Sequence, residues 1–263
     1  MSIRAVIWVF VSLMLVGVLT LAGGLAIVLP DLPPTSKVRD IRLKEPLRVY
    51  TTDGRLMGEF GDQRRITIPI EEAPDLLIKA ILAAEDDRFF QHHGVDFSGV
   101  LRAIIANLKS LDSRQGASTI TMQVARNYFL SREKTYSRKI KEVLLAFRLE
   151  RELTKAEILE LYLNKIFLGH RAYGFQAAAS IYYNKRLSEL SLAQLAMLAG
   201  LPKAPSRSNP VSDPERALDR RNYVLRRMHG LELISDSQYA AARSAPVTAQ
   251  RHKAKIQVYA PYV

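Results

Sequence analysis

The sequence predicts a mainly α-helical protein with a small β-hairpin region, preceded by one transmembrane helix. Residues 5–29 form an uncharged, apolar run of 25 residues, which is long enough to cross the hydrocarbon core of a bilayer as a helix. In residues 46–60, a Thr-Asp-Gly turn separates two short strand-like segments. Beyond Ala73, helix start and stop signals recur along the chain, so helices are expected to dominate there.

The uncharged run at residues 5–29 predicts a retained membrane anchor. A cleaved signal peptide is the alternative, but the run is longer than the usual signal core and continues past the small residues 22–24. Arg4 favours a cytoplasmic amino terminus, whereas the basic residues that follow in the segment 30–45 oppose it. Charge alone therefore leaves the orientation open. The segment 30–45 is rich in proline and polar residues and predicts an extended juxtamembrane linker.

Local signals then define the remaining elements in order. The stretch RRITIPI at residues 64–70 predicts a third strand after the hairpin. A proline, two capping boxes and an Asp-Pro pair predict helix starts, within a total of seven or eight helices. These signals are Pro74, Thr154 with Glu157, Ser191 with Gln194, and Asp213 with Pro214, the last helix ending at Gly230.

The composition narrows the function classes. The 263 residues include no cysteine, which excludes disulfides, thiolate metal sites and cysteine nucleophiles. The 38 Lys and Arg residues against 26 Asp and Glu residues give a net charge of +12. This balance favours polyanions, anionic membrane surfaces or phosphorylated substrates as partners.

An acid interrupts an apolar helix face in the stretch ILAAEDDRFFQHHGVD. If residues 76–90 are wound as one helix, Glu85 falls at the centre of a stripe formed by aliphatic residues and Phe89. Burial raises the pKa of a glutamate, so Glu85 is a candidate general base or acid; a scaffold role tied to an arginine or to backbone amides is the alternative. Asp86 and Asp87 are expected to cap or solvate the helix end.

Two histidines follow this acid. His92 and His93 could suggest metal ligands, but adjacent histidines on one element point apart and no third ligand stands at a recognisable spacing. We instead expect one histidine to pack or hydrogen-bond at the turn, and Gly94 to adopt a left-handed conformation.

A second acid lies among cations in KTYSRKIKEVLLAFRLERELT. Glu142 is predicted on the polar face of a helix, opposite its apolar stripe, where a solvated surface is the simple interpretation. Between the two acids, GASTITMQVARNYF opens a helix with Gly116 and several hydroxyls. Helix-opening amides and hydroxyls followed by Arg126 suit a phosphate, although plain helix capping explains them equally.

Taken in order, these stretches resemble the peptidoglycan glycosyltransferase domain, family 51, of the class A penicillin-binding proteins and monofunctional transglycosylases. Five ordered motifs over residues 48–228 carry the resemblance. Met122 and Arg126 depart from the residues that many members have, Gln and Lys; an arginine keeps the charge. The motifs are Glu85 and Asp86 with Phe89, His92 and Gly94; GASTITMQ; RKIKE, ending at Glu142; KAEILELYLN, residues 155–164; and RRNYVL, residues 220–225.

The resemblance implies a lysozyme-like helical glycosyltransferase domain that polymerises lipid II by an inverting single displacement. Glu85 and Glu142 are the implied catalytic residues, Glu85 as the base, while Glu142 orients cations or holds a divalent metal, Mg²⁺ or Mn²⁺; no organic cofactor is implied. Arg220 is expected to be structural or to act behind the site. The implied substrate-binding residues are Asp86, Phe89, His92, Gly116, Ser118, Thr119, Thr121, Gln123, Arg126, Lys134, Arg138, Lys139, Glu160 and Asn164.

The resemblance also orients the chain, with the amino terminus inside and the catalytic domain outside the cytoplasmic (inner) membrane. The expected partners are lipid II, the growing lipid-linked glycan strand, the membrane and cell-wall synthesis proteins, with no nucleic acid. The apolar stretch at residues 97–111 is expected to dip into the outer leaflet, or else to be an ordinary core helix. The implied units are a cytoplasmic start (1–4), the anchor (5–29), the linker (30–45), the glycosyltransferase domain (46–230), and a helix that begins a linker to an absent transpeptidase domain (231–263).

Other functions fit this sequence less well. A transpeptidase needs Ser-x-x-Lys with Ser-x-Asn and Lys-Thr-Gly, and the last two are absent from this sequence, so no transpeptidase activity is expected. A lysozyme-like hydrolase or lytic transglycosylase would also use a glutamate, but it has no use for a pyrophosphate-binding cluster of cations. A catalytically silent membrane-anchored scaffold would not need a carboxylate in an apolar stripe.

Overall fold

The computed structural model describes residues 3–32, 47–60, 64–102, 118–131 and 135–252, and these residues are mainly helical, as predicted. From Ala73 onward they contain eight helices with defined bounds, besides helical residues 97–102. The helices are α1 (Ile3–Val28), α2 (Asp75–Glu85), α3 (Ile120–Phe129), α4 (Tyr136–Glu152), α5 (Lys155–Lys165), α6 (Phe175–Tyr183), α7 (Leu192–Gly200), α8 (Pro214–Gly230) and α9 (Asp236–Ser244).

The predicted helix signals are confirmed where the structure describes them. Thr154 and Ser191 form complete capping boxes at the starts of α5 and α7, because each side chain and its partner three residues later satisfy one another's backbone amide. The Asp213 side chain accepts from the Arg216 amide at the start of α8, and Gly230 ends that helix. Short-range hydrogen bonds therefore fix these helix starts.

No helix within the described residues meets the length and hydropathy of a membrane span.

Within the described residues, the strands form two separate two-stranded sheets. β1 (Leu47–Tyr50) and β2 (Leu56–Phe60) make the predicted antiparallel hairpin. The predicted third strand is reduced to β3 (Arg64–Arg65), which pairs in parallel with β4 (Ala172–Tyr173) instead of extending the hairpin. The strand partner lies about a hundred residues away in the chain, so no local pattern could have indicated it.

The core joins α2, α7 and α8 with α3 and α5 in one continuous apolar cluster. From α2 it takes Leu77 and Ile81, and from α5 it takes Ile158, all fully buried. Burial of this stripe stabilises the position of α2, whose last residue is Glu85. The acid therefore stands at the end of a helix that is held on several sides.

The predicted helix over residues 76–90 is too long. α2 ends at Glu85, and Asp86 leaves the helical conformation with φ −162° and ψ 77°. Arg227 on α8 donates from Nε to the Ala83 carbonyl oxygen at 3.1 Å, which satisfies a carbonyl at the free end of the helix. Phe89 lies in the 3₁₀ turn that follows and is buried. The sequence predicts a longer helix because its apolar pattern continues to this residue.

Candidate active site

Glu85 lies at the carboxyl end of α2, where side chains from two other helices reach its carboxylate. Gln123 on α3 donates from Nε2 to Oε2 at 2.9 Å, and Arg220 on α8 donates from Nη2 to Oε1 at 3.3 Å. The Glu85 side chain is only 13% exposed. Each oxygen thus has one protein donor and retains acceptor capacity for a hydroxyl.

Burial raises the pKa of Glu85, and the hydrogen bond from Gln123 and the positive charges of Arg220, Lys203 and Arg126 offset part of this rise. Desolvation disfavours the charged form, so the carboxylate binds a proton more readily than an exposed glutamate does. A carboxylate of this kind, still reachable from solvent, can accept a proton from an attacking hydroxyl.

Asp86 has a different environment from the one predicted. It was expected to cap or solvate the end of α2, but it is buried and its carboxylate accepts from the Ile120 amide at 3.0 Å. It also meets His92 Nε2, which lies 2.9 Å from Oδ1. Asp86 therefore ties the start of α3 to the turn that contains His92. Asp87, as expected, is more exposed, and it forms an ion pair with Arg227 at 2.7 Å.

The turn after α2 follows the prediction for its histidine and glycine. His92 is buried and hydrogen-bonded, and Gly94 has φ +85°. A Cβ atom at Gly94 would lie 3.0 Å from the Ala146 backbone, so both the positive φ and the close approach of α4 favour glycine. Phe89 packs under Lys155, whose Nζ lies 4.3 Å from the centre of the ring. Phe89 and His92 thus have internal partners.

Glu142, on α4, is buried, so the simple interpretation of a solvated polar face does not hold. Its side chain is 1% exposed and forms ion pairs with Arg138 and with Lys139, the latter at 3.2 Å. Lys139 Nζ also donates to Ser118 Oγ at 2.7 Å, just before α3 begins. The polar side of α4 therefore faces the start of α3, and periodicity alone could not distinguish this interface from solvent.

Helix α3 connects the two acids. Ser118 precedes its start and contacts Lys139, while Gln123, in the middle of the helix, contacts Glu85. Arg126 lies in the last turn, and its charge acts on Glu85. The predicted binding residues of this motif thus lie between two carboxylates. Gly116 and Lys134, also predicted, fall outside the described residues.

Two hydroxyls of α3 are engaged inside the protein. The Thr119 side chain accepts from the Met122 amide at 3.2 Å as the helix cap and donates to the Gly94 carbonyl oxygen at 2.6 Å. Thr121 is fully buried and donates to Glu150 Oε1 at 2.6 Å. The bond from the Met122 amide makes Thr119 a helix cap, the alternative interpretation of this segment, whereas Thr121 links α3 to α4.

Glu160 and Asn164 hydrogen-bond to the backbone of residues 68–70, the segment that precedes α2. Glu160 Oε2 accepts from the Ile70 amide at 2.9 Å. The Asn164 side chain accepts from the Ile68 amide at 3.0 Å and donates to the Ile68 carbonyl oxygen at 2.8 Å. Both residues thus satisfy backbone groups of an irregular segment, which fits a supporting role.

Arg220 was expected to be structural or to act behind the site. Its guanidinium contacts the Glu85 carboxylate, a position from which a residue behind the site can act. The available signal was its position in the fifth motif, RRNYVL. That motif could not by itself reveal a partner 135 positions away in the sequence.

Comparisons with known proteins agree with the resemblance. The profile of the Transglycosylase family matches residues 53–229. Penicillin-binding protein 1A of Pseudomonas aeruginosa is 49% identical over 256 residues, covering 97% of this chain and 31% of that protein. Penicillin-binding protein 1A of Escherichia coli is 47% identical over 253 residues, covering 96% of this chain and 30% of that protein.

A crystal structure of penicillin-binding protein 1A from Haemophilus influenzae is 34% identical, with a TM-score of 0.47, over 84% of this chain and 23% of that one. The chain spans about a third of the length of the curated relatives it matches. On the family match and the sequence identities, the chain belongs to the transglycosylase family.

Proposed function

We propose that this chain is a peptidoglycan glycosyltransferase of cell-wall synthesis. It would polymerise lipid II into β-1,4-linked glycan strands and release undecaprenyl diphosphate, inverting the anomeric centre in one displacement. The observation that carries the proposal is Glu85, nearly buried and held by Gln123 and Arg220, in a member of the transglycosylase family. The whole protein to which the relatives correspond is longer, so further activities lie outside this proposal.

Glu85 is proposed as the general base. The acceptor sugar hydroxyl loses a proton to the carboxylate as its oxygen attacks the anomeric carbon of the donor, and the bond from that carbon to the pyrophosphate oxygen breaks. The raised pKa of Glu85 supports this role, because a carboxylate whose pKa is closer to the operating pH binds the transferred proton more tightly than an ordinary glutamate does.

The cations are proposed to stabilise the leaving pyrophosphate. Arg138 and Lys139 lie against Glu142, and Arg126 lies on α3 between the two acids. Cations held in place before the reaction stabilise developing charge without reorganising at that moment. Glu142 would hold two of them in position. Ser118, next to Lys139, is proposed to contact sugar or phosphate, and Lys134 is proposed to join the cations.

A divalent cation near Glu142 remains a proposal, and the residues around Glu142 make a poor metal site. Both of its carboxylate oxygens already accept from Arg138 and Lys139. Within the described ranges, no three acidic or histidine side chains gather to hold a metal ion. A magnesium ion would bind mainly through substrate phosphates, as it does in many phosphoryl sites.

Attachment to the inner membrane is proposed from the sequence. Residues 5–29 carry no charge, although the described residues alone give no helix that qualifies as a span. Both substrates carry lipid chains, so the amino terminus would lie inside and the catalytic domain outside. Phe97 is 70% exposed, which supports contact of this residue with the outer leaflet; residues 103–111 of the same predicted stretch lie outside the described ranges. Retention of the chain in carbonate-washed membranes, and its release after deletion of residues 1–29, would test this attachment.

The proposed function is tested with purified chain in detergent, labelled lipid II and a divalent cation, with products separated on a gel. Parent protein should give long glycan strands whose formation moenomycin inhibits, and Glu85→Gln should give none. Glu189→Gln, an exposed acid, should behave as the parent. Failure of the parent to extend lipid II, even with primer and membrane lipid, would favour the scaffold, and cleavage of preformed glycan would favour the hydrolase.

A further inference from the structure

We propose that Arg220 is a positioning residue that orients the Glu85 carboxylate and favours its ionised form before the acceptor hydroxyl binds. The inference rests on the proposed function for its catalytic meaning, although the contact itself is a property of the fold. It assigns to the first arginine of RRNYVL a role at the base, rather than in the packing of α8.

The Arg220 guanidinium is fixed from three directions. Its Nε donates to the Gly200 carbonyl oxygen at 3.1 Å, at the end of α7. The guanidinium carbon lies 4.5 Å from the centre of the Tyr223 ring. Its Nη2 then reaches Glu85 Oε1 at 3.3 Å, with the arginine side chain 12% exposed. An arginine held by a backbone carbonyl and an aromatic face has few other orientations available.

Arg220 and Gln123 act on opposite oxygens of the carboxylate and are not equivalent. Both fix its orientation, but only Arg220 carries a charge that favours the ionised carboxylate. A base in an apolar setting needs such a charge to stay unprotonated at working pH. A cation that bound the carboxylate too strongly would abolish its affinity for a proton. Arg220 contacts a single oxygen at 3.3 Å, and this contact is weaker than a bidentate arginine–carboxylate pair.

Other titratable groups face Glu85 from the elements packed around it. Lys203 and Arg126 are cations that favour the charged form of Glu85 less than Arg220 does, and the Tyr162 phenol is fully buried. Arg220 is therefore the cation whose removal should change the titration of Glu85 most. The groups are Arg126 on α3, Lys203 after α7, Tyr162 on α5 and the adjacent Asp86.

Gly200 offers a way to displace Arg220 without changing any charge. Its φ of −78° and ψ of −22° are helical, so alanine fits the backbone. A Cβ atom there would lie 2.9 Å from Arg220 Cγ, near the root of the side chain. Gly200→Ala should therefore move the Arg220 guanidinium without removing any ionisable residue from the chain.

The first test is the pH profile of lipid II polymerisation by the full chain. Arg220→Gln should move the acidic limb of kcat about 1 to 2 pH units upward, because Glu85 then holds its proton to higher pH. Arg220→Lys should restore part of the shift, and Gly200→Ala should shift the limb in the same direction. Arg226→Gln, which removes an exposed arginine from the same helix, is the matched control and should leave the limb unmoved.

A second measurement does not depend on turnover. Carboxyl ¹³C NMR of glutamate-labelled protein, with the Glu85 signal assigned from Glu85→Gln, gives the Glu85 pKa in each variant. A higher pKa in Arg220→Gln than in the parent supports the inference even if the parent polymerises nothing, in which case only the proposed function fails.

An unmoved Glu85 titration in a folded Arg220→Gln protein would overturn the inference. So would a uniform loss of activity at every pH, since a purely structural arginine lowers the amount of active enzyme without moving the limb. Gly200→Ala keeps the test decisive if Arg220→Gln unfolds, because its helical backbone is preserved.

Discussion

The two glutamates of the candidate site are buried by different means. Glu142 is 1% exposed and lies between two cations of its own helix, one turn away. Glu85 is 13% exposed and meets one arginine and one amide, both from other helices. Local sequence supplies the partners of Glu142, whereas the partners of Glu85 come together only through the packing of α2, α3 and α8.

This difference in surroundings indicates different roles for Glu142 and Glu85. A carboxylate whose two oxygens each accept from a cation is well suited to hold those cations in place. A carboxylate in an apolar setting with partial compensation keeps a high proton affinity and can take part in proton transfer. The predictions that follow test this division.

The largest expected effect is the loss of polymerisation in Glu85→Gln, by about 10³-fold, because a general base contributes on the order of 10² to 10⁴ in rate. The rate of glycan formation from labelled lipid II measures it. Glutamine keeps the shape of the side chain and its contact with Arg220, so the fold should persist by circular dichroism. Near-parental activity in this variant would remove Glu85 from the role of base.

Glu142→Gln should lower the free energy of unfolding by about 2 kcal/mol, since it leaves a partly buried cation without its carboxylate. The value lies below that of a fully buried pair because Lys139 is 46% exposed. Urea denaturation measures the loss, and Glu189→Gln provides a control on the surface. If stability is unchanged and turnover alone falls, Glu142 acts on the substrate rather than on its neighbours.

Thr121→Val should lower the free energy of unfolding by about 1 kcal/mol and leave KM for lipid II unchanged, since the hydroxyl bonds Glu150 inside the protein. Thr121→Ser keeps the donor and should behave as the parent. A rise in KM with parental stability would instead support the substrate contact that the family resemblance implies for Thr121.

The subtlest prediction concerns pH. Burial raises the folded-state pKa of Glu85, so the folded chain binds the proton more tightly and this group's stability contribution is lost as pH rises through that pKa. Glu85→Gln should therefore gain thermal stability over the parent at neutral pH. The gain should disappear below about pH 4, where the carboxyl is protonated in both states. A gain that is constant across pH would contradict a desolvated carboxylate.

Short-range signals in the sequence predicted much of the fold. The Thr-Asp-Gly hairpin, both capping boxes and the span of α8 follow from contacts within four residues, and the structure has all of them. The end of α2 was missed because apolar residues continue to Phe89, while Arg227 on α8 satisfies a carbonyl at the helix end. Proposed roles for the substrate-binding residues remain predictions.

The sequence by itself determined the helical class and the family and predicted the two candidate acids, because periodicity, caps and ordered motifs are properties of neighbouring residues. Only the tertiary structure decided that Glu142 is buried, that β3 pairs with β4, and that Arg220 meets Glu85. Burial and charge contact depend on which helix faces pack together, and partners 135 positions apart leave no trace in the local pattern.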